Sequence, residues 1–596
     1  MKIIKICYDI KKITLEMSKL QTFLKYFIPI FFLAGFLIYG ASLSNSFIWD
    51  DEEQIVNNGL VHSIKNLPHF FQGSTFNTGG TGNLSGLYYK PLMTVFFALF
   101  YTVFGDNSFF FHFFQLVFHL ANTCLIFVLF RKIFPQNKKD SRVLAFFLSL
   151  IFLVHPINVE TVVYSSSLQD ILYMFFGLVS LIFLIKKELT IKRTLTLSLL
   201  LLLSLLSKET GIIFVLLSVV YIYLYQKEKL KSLIGAVLIT LIAYSILRFG
   251  VAQVFFNKHN LSPLTRIPLL ERLPSMPKII TFYLTTFLFP VYLSISQHWV
   301  VKSFTFTDFY KPLVFSLIIF LALTTYLYHL YRSKNPLRKT FLFFYCWFIF
   351  GLGLHLQIFP LDMTVADRWF YMAEVGLLGM AGILILDLKP VISRFSLFLF
   401  FLAAIVLAVF SIRTISRSLD WRNGLTLYSK DERITPNSFD LENNLGVELY
   451  RVGRIQEAKT HFERSVEIAP FWWTNWNNLG AVYEREKNIE AAKEAYLTAI
   501  KNGQYYLSYE NVAKITFFGE NNPEEARKFV KDSLKILPQN PTLWLILALS
   551  DYKLNLKDEA LLAAKNAYIL APSDQTYYVV TKIQAGQPID FGTQSN

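Results

Sequence analysis

Two hydrophobic patterns divide this chain. Up to about residue 413, long apolar runs alternate with short basic connectors; beyond it, apolar positions recur at helical spacing among charged ones. The runs lie at 24–43, 109–130, 143–156, 171–185, 194–207, 210–225, 232–249, 311–331, 340–358, 370–387 and 394–412. A bilayer core takes about 20 apolar residues of helix, so a polytopic helix bundle of about 11 spans is predicted. The connectors carry Arg131-Lys132 with Lys138-Lys139 and Arg142, and Lys186-Lys187 with Lys192-Arg193. Lys227, Lys229 and Lys231 follow, then Arg332, Lys334, Arg338 and Lys339, then Lys389 and Arg394. With the lysine-rich N-terminus (1–23) in the cytoplasm, every connector falls on the cytoplasmic side, as the positive-inside rule requires. The stretch 91–104 is apolar but too short to cross. It is read as an interfacial or re-entrant helix in a large external loop, 44–108. The run 279–295, broken by Pro290, is read in the same way. An odd number of crossings places the C-terminal third outside the cytoplasm.

That third is an array of repeats. Ala458, Ala492, Ala526 and Ala560 share one register, with Pro436, Pro470, Pro538 and Pro572 in another. Leu445-Gly446 recurs as Leu479-Gly480, Trp476 and Trp544 share a tryptophan position, and Phe462 and Tyr496 a later aromatic one. A small residue where two antiparallel helices touch, and a proline after the second helix, define the tetratricopeptide (TPR) pattern. Four repeats are predicted over 439–572, after a linker at 414–438 and before a tail at 573–596. The fold class is all-α: a membrane bundle over 24–413 followed by an α-solenoid. These repeat residues are packing residues. They predict a concave groove suited to a protein or peptide, and no chemistry of their own.

Composition agrees and excludes alternatives. Hydrophobic residues make up 54% of the 596, above the roughly 45–50% of globular chains. Of the net charge of +15, the first 429 residues hold 38 Lys/Arg against 20 Asp/Glu, whereas the remainder is slightly acidic. A basic surplus confined to the membrane half argues for cytoplasmic loops and against nucleic acid as a partner. Cys7, Cys124 and Cys346 show no disulfide or metal spacing. No small-residue cleavage site follows the first apolar run, so it is read as a retained span.

Ionisable groups cluster at the predicted external ends of the runs. They are Asp50-Asp51 in Phe47–Glu53; Lys90 after Tyr88-Tyr89, behind a Gly/Asn/Thr/Ser-rich run from Gly73 to Gly86; His155-Pro156 with Glu160 and Asp170; Lys208-Glu209; and Asp362, Asp367-Arg368 and Tyr371. Such groups at membrane depth are costly and face cavities or partners. A carboxylate able to take a proton, with cations able to hold a departing phosphate, suits glycosyl transfer from a lipid-phosphate sugar to a hydroxyl. Asp50 and Asp51 are the candidate catalytic pair, and Lys90, Lys208 and Arg368 the candidate phosphate cations. Each has a plainer role open to it: an acidic span cap for Asp50-Asp51, a chain turn at His155, an internal ion pair for Lys208-Glu209 and for Asp367-Arg368.

These motifs resemble a family. Asp50-Asp51 with Ile55 and Asn58, Tyr89-Lys90-Pro91-Leu92, His155-Pro156-Ile157 with Glu160, Lys208-Glu209-Thr210-Gly211, and Asp367-Arg368 with Tyr371 occur in this order before TPR repeats. The chain so resembles the transmembrane-and-tetratricopeptide O-mannosyltransferases, within the GT-C class of polyprenyl-phosphate-sugar glycosyltransferases. The resemblance implies an inverting enzyme with its site at the external face, a mannose-type donor on polyprenyl phosphate, and Asp50 as base. His155, Glu160, Asp170, Glu209 and Tyr371 join the three cations as substrate-binding candidates, and a divalent ion is left open. Lys90 stands where the family usually has Arg, Leu168 where Arg is frequent, and Asp367 where Glu is usual. These departures fit a bacterial relative in the inner or plasma membrane. A lipid or envelope-glycan acceptor, or a non-catalytic scaffold, are the competing readings.

Overall fold

A computed structural model describes residues 27–75, 88–135, 139–186, 189–255, 264–392 and 396–590. The basic N-terminus, Lys138, Lys187, Arg394 and most of the Gly73–Gly86 run lie outside them. The chain divides into two units, a membrane unit ending at Ile434 and a repeat unit beginning at Thr435.

Each apolar run of the membrane unit is a helix. Among the described residues seven helices are long and apolar enough to cross a membrane: Phe27–Ser44, Ser108–Ile133, Ser165–Ile185, Lys227–Val251, Phe306–Arg332, Asp367–Leu388 and Phe401–Asp420. An eighth is counted if Ser141–Val154 and Pro156–Val163, bent by 49° at His155, form one span. The remaining runs give the shorter helices Ile191–Ser207, Ile212–Tyr225 and Arg338–Gly353. The expected count of about 11 therefore rests on three helices of 17, 14 and 16 residues, whose rise of ~1.5 Å per residue falls short of the ~30 Å core. The run 340–358 also ends early, at Gly353, and its apolar tail becomes loop.

Burial sorts these helices by position. Asp367–Leu388 and Ser165–Ile185 are 78% and 72% buried and form the centre, whereas Phe306–Arg332 and Lys227–Val251, at 11% and 17%, turn most of their apolar surface outward. At the centre, Arg338–Gly353 and Tyr371–Ile392 pack at backbone distance. A Cβ on Gly376 would sit 2.5 Å from the Phe348 backbone nitrogen. Small residues allow such approach where lipid supplies no hydrophobic drive between helices.

The loop 44–108 is structured where it is described. Its short helices and the helix Pro91–Phe104 pack Ile55, Val61, Phe70, Met93, Phe97 and Phe100 on Phe111, Leu168 and Leu172. Pro at N1 starts that helix and Gly105, at φ 65°, ends it. The stretch 279–295 is the helix Met276–Leu288 followed by a turn at Pro290-Val291 and irregular chain. The expected linker 414–438 is mostly ordered helix instead. The last apolar helix runs on to Asp420, Gly424–Asp431 forms another, and both pack within the membrane unit.

In the repeat unit four helix pairs follow one another: Phe439–Arg451 with Ile455–Ile468, Trp473–Arg485 with Ile489–Asn502, Tyr506–Lys514 with Pro523–Ile536, and Pro541–Lys553 with Lys557–Leu570. Ala458, Ala492, Ala526 and Ala560 are fully buried. Trp476 and Trp544 donate their indole N–H to the Pro470 and Pro538 carbonyls at 2.7 and 2.8 Å, which explains the shared period of Trp and Pro. The expected tail begins as a further helix, Asp574–Gln584, whose Val579 and Ile583 close the last hydrophobic cluster.

Candidate active site

Asp50 and Asp51 follow Trp49, whose φ of 54° lies in the left-handed region that bulky residues rarely adopt. From this turn the two carboxylates part. Asp51 is fully buried, and its Oδ1 accepts from the Ser166 backbone N–H at 2.7 Å and the Ser166 hydroxyl at 2.6 Å. Burial pushes its carboxyl up to about 7, against the opposing pull of the Ser166 bonds. Asp51 thus anchors the loop. Asp50 stays half-buried, with its carboxylate in interaction range of the Tyr164 hydroxyl.

Two ion pairs lie at the ends of the central helices. Lys208 Nζ meets Asp170 Oδ1 at 2.5 Å. Arg368 pairs with Glu160 through its guanidinium, and its backbone N–H donates to Glu160 Oε2 at 3.0 Å. None of the four side chains is more than 13% exposed. A buried pair is weak evidence for stability, and ionisable groups at membrane depth are candidates for function. Lys90 sits over the Tyr88 ring, 4.1 Å from its centroid, among the charges of Glu209, Lys208, Asp170 and Asp362. Burial pushes its ammonium down to about 8, with Glu209 opposing. The Tyr88 hydroxyl donates to exposed Asp362.

Glu209 is a strut. It accepts from the Tyr89 backbone N–H and from Arg248 Nη1, both at 2.9 Å. The plain ion pair Lys208–Glu209 does not form; Asp170 and Arg248 take the two charges. The turn is tight because Gly211 passes Ser204, where a Cβ would lie 2.6 Å from the backbone carbonyl. Arg248 was missed from sequence. Its signal was a single arginine ending the apolar run 232–249, four residues after Tyr244, whose hydroxyl it also reaches at 3.0 Å. Arg248→Gln is expected to cost ~1–3 kcal/mol by stripping Glu209 of its charged donor, read as a lower melting temperature in nanodiscs.

Two further candidates make other contacts. His155 is fully buried, caps the Ile157 N–H with Nδ1, places Nε2 2.9 Å from the Phe287 carbonyl and stacks on the Phe287 ring. It shapes the bend, with both ring nitrogens occupied. Tyr371 lies inside the bundle, its hydroxyl between His119 Nδ1 and Asn122 Nδ2 at 2.9 and 3.2 Å. Among the described residues no three His, Cys, Asp or Glu side chains gather as a ligand set for a metal ion.

Asp50, Glu160, Asp170, Lys90, Lys208, Glu209 and Arg368, drawn from five separated motifs, thus form one connected polar cluster. Known proteins are similar to this chain. A Caenorhabditis elegans protein O-mannosyl-transferase is 22% identical over 72% of this chain and 61% of its own length. Human protein O-mannosyl-transferase TMTC3 is 25% identical over 72% of this chain and 50% of its own. Human TMTC1 reaches 34% over 22% of this chain. The chain is similar to the protein O-mannosyl-transferases over most of its length. It spans about half to three-fifths of the length of the relatives it matches over most of its own. A tetratricopeptide repeat model matches residues 474–502. The crystal structure of YrrB, a TPR protein with an unusual peptide-binding site, aligns with 27% of this chain at 14% identity and a TM-score of 0.24.

Proposed function

We propose that this chain is an inverting membrane O-mannosyltransferase that moves mannose from a polyprenyl-phosphate donor to a hydroxyl, chiefly of protein Ser or Thr, on the extracytoplasmic side. The observation that carries the reading is the convergence of one half-buried carboxylate, Asp50, with three cations, Lys90, Lys208 and Arg368, in one cluster. Asp50 takes the proton of the acceptor hydroxyl as its oxygen bonds to the anomeric carbon. The bond from that carbon to the phosphate oxygen breaks, its electron pair leaves with polyprenyl phosphate, and Asp50 then yields the proton to water. Lys90, Lys208 and Arg368 neutralise the departing phosphate, and Glu160, Asp170 and Glu209 hold those cations and their supports in place. The repeats hold the acceptor or a partner that brings it.

Labelled mannose on polyprenyl phosphate, given to the protein in nanodiscs with host membrane extract, tests this. Label in the protein fraction supports the reading, label in lipid or glycan moves the acceptor, and no label from any sugar donor favours a scaffold. Lys90 adds a pH test. Its ammonium loses its proton as pH rises through about 8, so donor KM is expected to rise above that pH. Lys90→Arg keeps its charge, and the rise should vanish in it.

A further inference from the structure

We propose that Trp49, Tyr164 and Trp421 form the subsite for the pyranose ring of a phosphate-linked sugar, an inference that rests on the transferase reading. In a direct displacement the sugar must lie between the base and the cations that hold its phosphate. Tyr164 stands there: Asp50 acts on its hydroxyl, and the Arg368 guanidinium carbon is 5.9 Å from its ring centroid. Its ring stacks on Trp49 at 6.0 Å and 19° and packs on Trp421 at 5.6 Å and 36°. A pyranose offers C–H faces to aromatic surface and hydroxyls to polar groups beside it, the mixed lining of a small-molecule site.

Polar groups are there, and not all are used. Tyr164 and Trp421 are 2% and 1% exposed; the Tyr164 hydroxyl faces Asp50, whereas among the described residues the Trp421 indole N–H makes no hydrogen bond. By contrast, the fully buried indole of Trp347 donates to the Met372 carbonyl at 2.9 Å. Around Tyr164 the same lack recurs. Among the described residues, five further side-chain atoms on residues 161–170 are buried without a partner, the hydroxyls of Ser165 and Ser167 among them. The large majority of buried side-chain polar atoms are bonded, so such a concentration marks a site whose partners arrive with a ligand. The positive φ of Trp49 fits: the strained turn that presents Asp50 also lays the indole on Tyr164.

The test compares two probes on the full chain in nanodiscs, polyprenyl-phosphate mannose and bare polyprenyl phosphate, by native mass spectrometry. Tyr164→Phe and Trp421→Phe each keep a ring and delete one polar hydrogen. Each is expected to weaken the sugar-bearing lipid by roughly 5- to 10-fold and leave the bare lipid unchanged. Equal weakening of both lipids, or of neither, while wild type still transfers sugar, would overturn the subsite and spare the enzyme reading. Wild type that neither discriminates the two lipids nor transfers sugar would overturn both.

Discussion

Asp50→Asn is expected to lower sugar transfer by about 10²- to 10⁴-fold, the range removed with a positioned general base. Donor binding and folding should hardly change. The amide keeps the shape of a side chain that is half-buried and outside the Ser166 anchor. Asp51→Asn should give the opposite profile. Its amide oxygen can still accept from Ser166, so transfer should fall modestly, and the change should lie in the pH dependence of local stability. Because the Asp51 carboxyl is raised to about 7, the neutral form is the one the fold favours. Its stabilising contribution is therefore complete at low pH and lost as pH rises through about 7. Hydrogen exchange over 48–56 should accelerate across that window in wild type and stay level in Asp51→Asn.

The largest loss of stability is expected at Arg417. Its Nη1 and Nη2 meet Asp431 Oδ1 and Oδ2 at 2.6 and 2.8 Å, with the two side chains 3% and 0% exposed. Arg417→Leu leaves a buried carboxylate uncompensated, at ~3–5 kcal/mol, whereas replacing both partners by apolar residues is often neutral. Thermal unfolding in nanodiscs should therefore show a large drop for Arg417→Leu and recovery of most of it in Arg417→Leu/Asp431→Leu. The pair also reaches the site. Asp431 Oδ2 accepts from the Ile295 N–H at 2.9 Å, Gln297 bridges to Val365, and the Thr364 N–H donates to the Gln297 carbonyl at 2.9 Å. Thr364 sits four residues before Arg368, so Arg417→Leu should also impair transfer in the fraction that stays folded.

Much of this molecule was legible because its strongest signals are local. Apolar runs became helices since a chain in lipid must satisfy its backbone within each segment, and the Ala and Pro period became helix pairs because close packing admits few residues at those points. Pairing across helices was not legible. Lys208 adjoins Glu209 in sequence, yet its partner Asp170 is 38 positions away, and Arg248 could be linked to Glu209 only once the two helices were seen side by side. The polarity of 414–438 suggested a linker. The bonds that hold it against the bundle, from the Thr414 hydroxyl to the Val154 carbonyl and from the Ile295 N–H to Asp431, depend on partners outside the segment. His155 looked like chemistry since a histidine before a proline also caps and turns a helix, and only its contacts decide between the two.

The most direct measurement is a time course with purified wild type and polyprenyl-phosphate mannose, following polyprenyl phosphate and hexose-modified protein together. Equal amounts of both products, with the anomeric configuration inverted and both lost in Asp50→Asn, is the expected result. Absence of both products, or their undiminished formation by Asp50→Asn, would contradict Asp50-dependent glycosyl transfer.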